Sequence, residues 1–152
     1  MILSWRLVHA RYAAHVFDGE GARLYGGRWN SPGRPVVYTA GSLALAALEV
    51  LVHIQSRKAL TNYLKVRLEF EESLVLTVPV SSLPPHWHQG RAAPETRAVG
   101  DRWFDAGTTP ILGVPSVVVP EEWNYMLNPR HPQFDEIHRG QPEPFPFDPR
   151  LR

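Results

Sequence analysis

Glu49 stands inside Ser42-Leu43-Ala44-Leu45-Ala46-Ala47-Leu48-Glu49-Val50-Leu51-Val52-His53-Ile54, a run otherwise apolar on every side of a helix until His53. A helix apolar all round is expected to be buried, and an unpaired carboxylate held out of water is costly. The residues allow two explanations. Either a structural partner satisfies the charge, His53 at i+4 being the local candidate, or the carboxylate lines a cleft and has chemical work to do there.

The second candidate is the stretch from Asp18 to Pro35, which holds five glycines in eighteen residues with Arg23, Arg28 and Arg34 between them. Glycines let backbone N–H groups approach an anion, and arginines neutralise it. The spacing is neither Gly-x-x-x-x-Gly-Lys-Ser/Thr nor Gly-x-Gly-x-x-Gly, so nothing supports a P-loop or a dinucleotide-binding turn of the usual kind. Arg28-Trp29-Asn30 keeps a ligand role open, since a cation, a flat ring and an amide together can hold phosphate, ribose and base. Tyr38 reads as strand core whose ring could reach the same cleft, and Ser116 as a minor hydrogen-bonder on a β-branched strand. No Gly-x-Ser-x-Gly elbow supports a serine hydrolase, and His86-x-His88 is a weak metal signal among seven scattered histidines.

The elements that must position these residues are short, because fifteen Pro and eleven Gly divide the chain. That composition predicts a strand-rich α+β domain with long ordered loops. Leu3 to His9 alternates as a first strand, Pro35 to Ala40 as a second, and Ser42 caps a helix ending near Ser56. Asn62 to Phe70 and Leu74 to Val78 read as a hairpin. Pro94 opens a helix to about Asp105 that Gly107 ends, and Pro115 to Pro120 reads as a strand. Glu121 to Pro129 is polar and aromatic, and Phe134 to His138 is the last apolar segment. The Pro-rich tail from about residue 140 is expected to wrap the surface through Phe145 and Phe147.

With 152 residues and 43% apolar, the chain fits one domain, 1–152. A net charge of +1 with dispersed cations gives no footprint of direct nucleic-acid binding. The absence of Cys removes a disulfide framework, and no apolar run is long enough to span a bilayer, so a soluble cytoplasmic protein is expected. No heptad seam specifies a dimer, and homo-oligomerisation stays open.

Six blocks in order resemble the RES-domain toxins: 19–23, Gly26-Gly27-Arg28-Trp29-Asn30-Ser31-Pro32-Gly33, Val37-Tyr38-Thr39, 47–53, Val114-Pro115-Ser116 and 124–132. The resemblance matches the family's Arg, Glu and Ser to Arg28, Glu49 and Ser116. It implies an ADP-ribosyltransferase-like fold: a split, mainly antiparallel sheet with a few flanking helices around an NAD cleft. It further implies NAD as substrate with no resident cofactor or metal, and an Xre-type helix-turn-helix antitoxin through which alone DNA is met.

Breaking the nicotinamide–ribose bond builds positive charge on the ribose, and the resemblance assigns its stabilisation to Glu49. It has Tyr38 orient the nicotinamide, and Arg28 with Arg6 hold pyrophosphate or ribose oxygens. Ser116 binds the nicotinamide end or braces Glu49, while Trp29, Asn30 and Asn124 complete the NAD-binding set. The ADP-ribose then passes to water or phosphate, starving the cell of NAD, or to a target protein. A non-catalytic binding module is the reading from another class.

Overall fold

The computed structural model describes residues 1–151. One mixed sheet of eight strands organises them, in the order β4-β5-β6-β2-β1-β3-β7, with β8 also on β3. The strands are β1 (Ile2–His9), β2 (Val37–Ala40), β3 (Tyr63–Phe70), β4 (Val75–Thr77), β5 (Ile111–Pro115), β6 (Trp123–Leu127), β7 (His138–Arg139) and β8 (Glu143–Phe145). Three α-helices accompany them: α1 (Glu20–Tyr25), α2 (Leu43–His53) and α3 (Pro94–Ala106). The α+β class, with a sheet antiparallel except at β4–β5, agrees with the sequence.

Both faces of the sheet are covered, which explains why every residue of β5 is buried. One face carries the main core, where Val8, Val37, Val66, Leu68, Ile111 and Leu127 meet. On the other, Leu112, Val114 and Met126 meet Trp29, Trp87 and Trp103. A smaller cluster joins Leu45 and Ala46 of α2 to Ala40, Trp5 and Leu7, so α2 lies on that second face too. The strands β1 and β2 meet at one register, Trp5↔Ala40, whereas β1 and β3 pair along their whole length.

The chain's own signals set most boundaries. Ser42 Oγ accepts from the Leu45 N–H at 3.0 Å and caps α2. Pro94 opens α3, and Gly107 ends it in the left-handed region at φ 63°. At the far edge β8 adds to β3, where Phe145 stacks edge-on against Phe147 and Phe147 against Tyr63. The tail therefore wraps as its prolines and phenylalanines predict.

Three expectations are corrected, and one segment to which the sequence assigned no element is a strand. Residues 63–70 and 75–77 are not a hairpin: the turn at Glu72–Leu74 buries Leu74 in the core, and β4 pairs in parallel with β5 across the sheet. Pro115 closes its strand instead of opening one, and Ser116 begins a turn. The polar aromatic segment is a central strand, β6, with Asn124 and Met126 on one face and Tyr125 and Leu127 on the other. Nor is α2 enclosed. Leu48 and Val52 are 42% and 62% exposed, because the helix rests on the sheet by one side only.

Candidate active site

Glu49 sits at the middle of α2, half-buried, and faces the end of the β5–β6 ladder. Ser116, two residues past Val114, lies on the same sheet face as Asn124, because Val114 is the register partner of Asn124. Ser116 Oγ donates to Glu49 Oε1 at 3.1 Å and accepts from the N–H groups of Val118 and Val119 at 3.1 and 3.3 Å. Two backbone donors occupy the oxygen's lone pairs, so its own proton is directed at the carboxylate. Asn124 is buried, donates to the Thr39 carbonyl at 3.2 Å and also hydrogen-bonds Glu49.

The electrostatics of Glu49 follow from those contacts. Burial raises its pKa above the ordinary 4.5, the hydrogen bonds from Asn124 and Ser116 pull it back, and the charge of Glu122 pushes it up again. The net direction is upward. Glu122 is itself anchored at the start of α2, where Ser42 Oγ donates to its Oε1 at 3.0 Å. His53 is exposed, and the hydrogen bonds of Glu49 go to Ser116 and Asn124 instead, which rules out the local His53 partner in this structure.

Tyr38 shares the face with Asn124, since Ala40 is the register partner of Asn124 and Tyr38 stands two residues earlier, about 7 Å along the strand. Its hydroxyl donates to Asn30 Oδ1 at 2.5 Å and accepts from the Trp29 N–H at 3.3 Å. Burial raises the phenol pKa, so Tyr38 is neutral throughout the physiological range.

Arg28 is committed to a loop. Its Nη1 donates to the carbonyls of Trp87 and Gln89 at 3.3 and 3.0 Å, and Nη2 to that of Gly90 at 2.6 Å. Five N–H donors less these three leave Nε–H and one Nη2–H without a partner among the described residues. Partial burial lowers its pKa, and the nearby Tyr38 opposes that. Among the described residues no ion pair joins Arg28 to Glu49.

Three residues expected to hold NAD are either buried or on the other sheet face. Trp29 is 2% exposed against Trp87, and Asn30 is fully buried, its amide donating to the carbonyls of Ala22, Ser31 and Arg34. Neither presents a surface to a ligand, because the Arg-Trp-Asn run dives under the loop instead of crossing it. Arg6 falls on the opposite sheet face from α2 by alternation with Trp5 and Leu7. It touches the site through the backbone, donating from Nη1 to the Tyr38 carbonyl at 2.9 Å where β1 and β2 part. Burial pulls its guanidinium down to about 10, partly offset by Asp18, and its Nε has no hydrogen-bond partner among the described residues.

Residues that sequence reasoning missed latch the glycine-rich loop to α3. Arg97 donates to the Gly27 carbonyl at 3.1 Å, and Asp101 accepts from Ser31 N and Oγ at 2.8 and 2.7 Å. Asp105 receives Arg34 at 2.9 and 2.7 Å. The i, i+4, i+8 spacing of Arg97, Asp101 and Asp105 was the available signal. A separate open groove of about 850 Å³ lies between residues 13–18 and 135–142 and contains none of Glu49, Ser116, Tyr38 or Arg28. Among the described residues no group of three His, Cys, Asp or Glu could hold a metal ion, and no helix is long and apolar enough to cross a membrane.

Comparison with known proteins gives the chain a family. The RES domain family model matches residues 3–148. A Yersinia enterocolitica protein named Toxin Res is 39% identical over 152 residues, covering 99% of this chain and 100% of that one. A Sphingobium protein named Prs ADP-ribosylating toxin is 37% identical, covering 97% and 94%. The crystal structure of the M. tuberculosis MbcT–MbcA toxin–antitoxin complex superposes with a TM-score of 0.76 at 22% identity, over 95% of this chain and 84% of that one, a likeness of fold. The chain therefore belongs to the RES-domain family, the family of these toxins.

Proposed function

We propose that this protein is a toxin that cleaves the nicotinamide–ribose bond of NAD and passes the ADP-ribose to water or phosphate. The single observation that carries this reading is the half-buried Glu49 carboxylate held by Ser116 and Asn124 on the face that also bears Tyr38. As the C1′–N bond breaks, its electron pair neutralises the nicotinamide ring and positive charge grows on the ribose. A fixed carboxylate stabilises that charge more in the transition state than in the ground state. Water or phosphate then bonds to C1′, and an attacking water releases one proton to the solvent.

Ser116 orients Glu49 and favours its ionised form; its hydroxyl oxygen, with both lone pairs taken by the Val118 and Val119 N–H groups, is no nucleophile. Tyr38 offers its ring to the nicotinamide, and the two uncommitted N–H groups of Arg28 bind a phosphate or ribose oxygen. NAD is a substrate here, and the chemistry calls for no resident cofactor or metal.

Transfer to a protein is the second reading, favoured by the 37% identity to a Sphingobium protein named as an ADP-ribosylating toxin. An Xre-type antitoxin is the proposed partner, supported by the shared fold with MbcT, which is held in a toxin–antitoxin complex. Incubation of the free chain with NAD, with and without phosphate and with and without cell extract, separates the readings. Nicotinamide release without extract supports hydrolysis or phosphorolysis. Release that requires extract, with label on one protein, replaces it by protein transfer.

A further inference from the structure

The buried amide of Asn30 is built around one oxygen atom. Its Nδ2 faces the carbonyls of Ala22 at 3.1 Å, Ser31 at 3.1 Å and Arg34 at 3.4 Å, all acceptors. That surround fixes which end of the amide is nitrogen, so Oδ1 must face the Tyr38 hydroxyl, 2.5 Å away. The hydroxyl also receives the Trp29 N–H at 3.3 Å, and a Cβ on Gly27 would stand 2.5 Å from it. The phenol oxygen is thus enclosed by Asn30, Trp29 and Gly27, with its proton already donated. It has no proton for a substrate, and what Tyr38 presents is its ring.

We infer that Asn30 is a positioning residue which, through the Tyr38 hydroxyl, sets the angle at which the Tyr38 ring meets the nicotinamide of NAD. This rests on the proposed reading of the site and deepens it. The Arg-Trp-Asn run then has two separate tasks: Arg28 holds the 87–90 loop while Asn30 holds Tyr38 from behind. Gly27 is glycine because the hydroxyl needs its space.

A ring that contacts substrate and transition state alike acts on KM and leaves kcat nearly unchanged. The test is a double-mutant cycle in the full chain, read as KM and kcat for nicotinamide release. Tyr38→Phe and Asn30→Ser should each raise KM about fivefold, the size of one ordinary hydrogen bond, with kcat changed less than about twofold. In the Tyr38→Phe background Asn30→Ser should add less than about twofold, since the bond is already gone. Effects that multiply overturn the inference, as does a normal KM in Tyr38→Phe.

Asn30→Ser also strips donors from three carbonyls and could fail to fold, so Gly27→Ala serves as the second variant. Its Cβ would crowd the same hydroxyl at 2.5 Å and also stand 2.9 Å from Asn30 Oδ1 and Tyr38 Cζ, while the donors of Asn30 stay in place; its KM effect should shrink in Tyr38→Phe, which removes the nearest contact. Should the unmodified chain release no nicotinamide, the reading of the site falls, and the crystal structure of Tyr38→Phe decides the coupling. A ring displaced at position 38 supports it; an unmoved ring overturns it.

Discussion

Ser116 Oγ lies 3.1 Å from Glu49 Oε1, and the N–H groups of Val118 and Val119 turn the hydroxyl proton onto that carboxylate. A turn that begins at the end of one strand thereby governs the charge state of a residue in the middle of a helix, sixty-seven positions away in the chain.

Removing the hydroxyl takes a hydrogen bond from an ionised group, an interaction of about 1.5–3 kcal/mol. Ser116→Ala is expected to lower kcat/KM for nicotinamide release about 10- to 100-fold. Because the Ser116 bond lowers the Glu49 pKa, its loss must move the acid limb of the pH–rate profile upward. A slower enzyme with an unmoved limb would separate Ser116 from Glu49.

The pH dependence of stability has a definite sign. Glu49 is raised in the folded state, so the native protein binds more protons than the unfolded one between the ordinary 4.5 and the raised value. Its contribution is fully present below 4.5 and is lost as pH rises through the folded pKa. Glu49→Gln should therefore gain stability relative to the unmodified chain as pH rises from 4 to 7. Urea unfolding of both proteins across that range checks it, and a relative gain that grows toward acid pH contradicts it.

Arg28 is expected to govern the order of the 87–90 loop independently of any substrate. In Arg28→Lys a single ammonium cannot reproduce a planar fork spread over three carbonyls. Hydrogen exchange at residues 87–90 should quicken at least tenfold while β5 and β6 stay protected. Equal protection in both proteins would show the fork to be dispensable.

The backbone of Trp29 passes against α3 at Gly100, where a Cβ would come within 1.7 Å of the Trp29 carbonyl oxygen. Gly100→Ala forces helix and loop apart and should cost at least about 1–3 kcal/mol of stability. Gly21, on α1 with open space around it, is the control, and Gly21→Ala should be neutral or stabilising by about 0.5–1 kcal/mol. Thermal melts of the two variants report the contrast.

Local signals made much of this legible. Ser42, Pro94 and Gly107 mark their helix ends because capping and φ restriction depend on a few adjacent residues. Glu49 stood out because a charge in an apolar run has few explanations, though its partners are Ser116 and Asn124 and its helix is not enclosed. Non-local pairing was not legible. Nothing in Val75 to Thr77 names Ile111 as its partner, and the alternation of β6 was hidden by Asn124, whose amide meets the Thr39 carbonyl only in the folded sheet. Trp29 and Asn30 looked like ligand groups because a buried amide and a binding amide have the same sequence signature.

The central claim is that the Glu49 carboxylate carries NAD cleavage, and nicotinamide release by purified Glu49→Gln beside the unmodified chain tests it most directly. Gln keeps the shape and loses the charge, so release should fall by at least about 10²–10³-fold, the effect of deleting one transition-state electrostatic contact. Circular dichroism and melting should stay those of a folded protein. Release by folded Glu49→Gln at the unmodified rate would contradict the account.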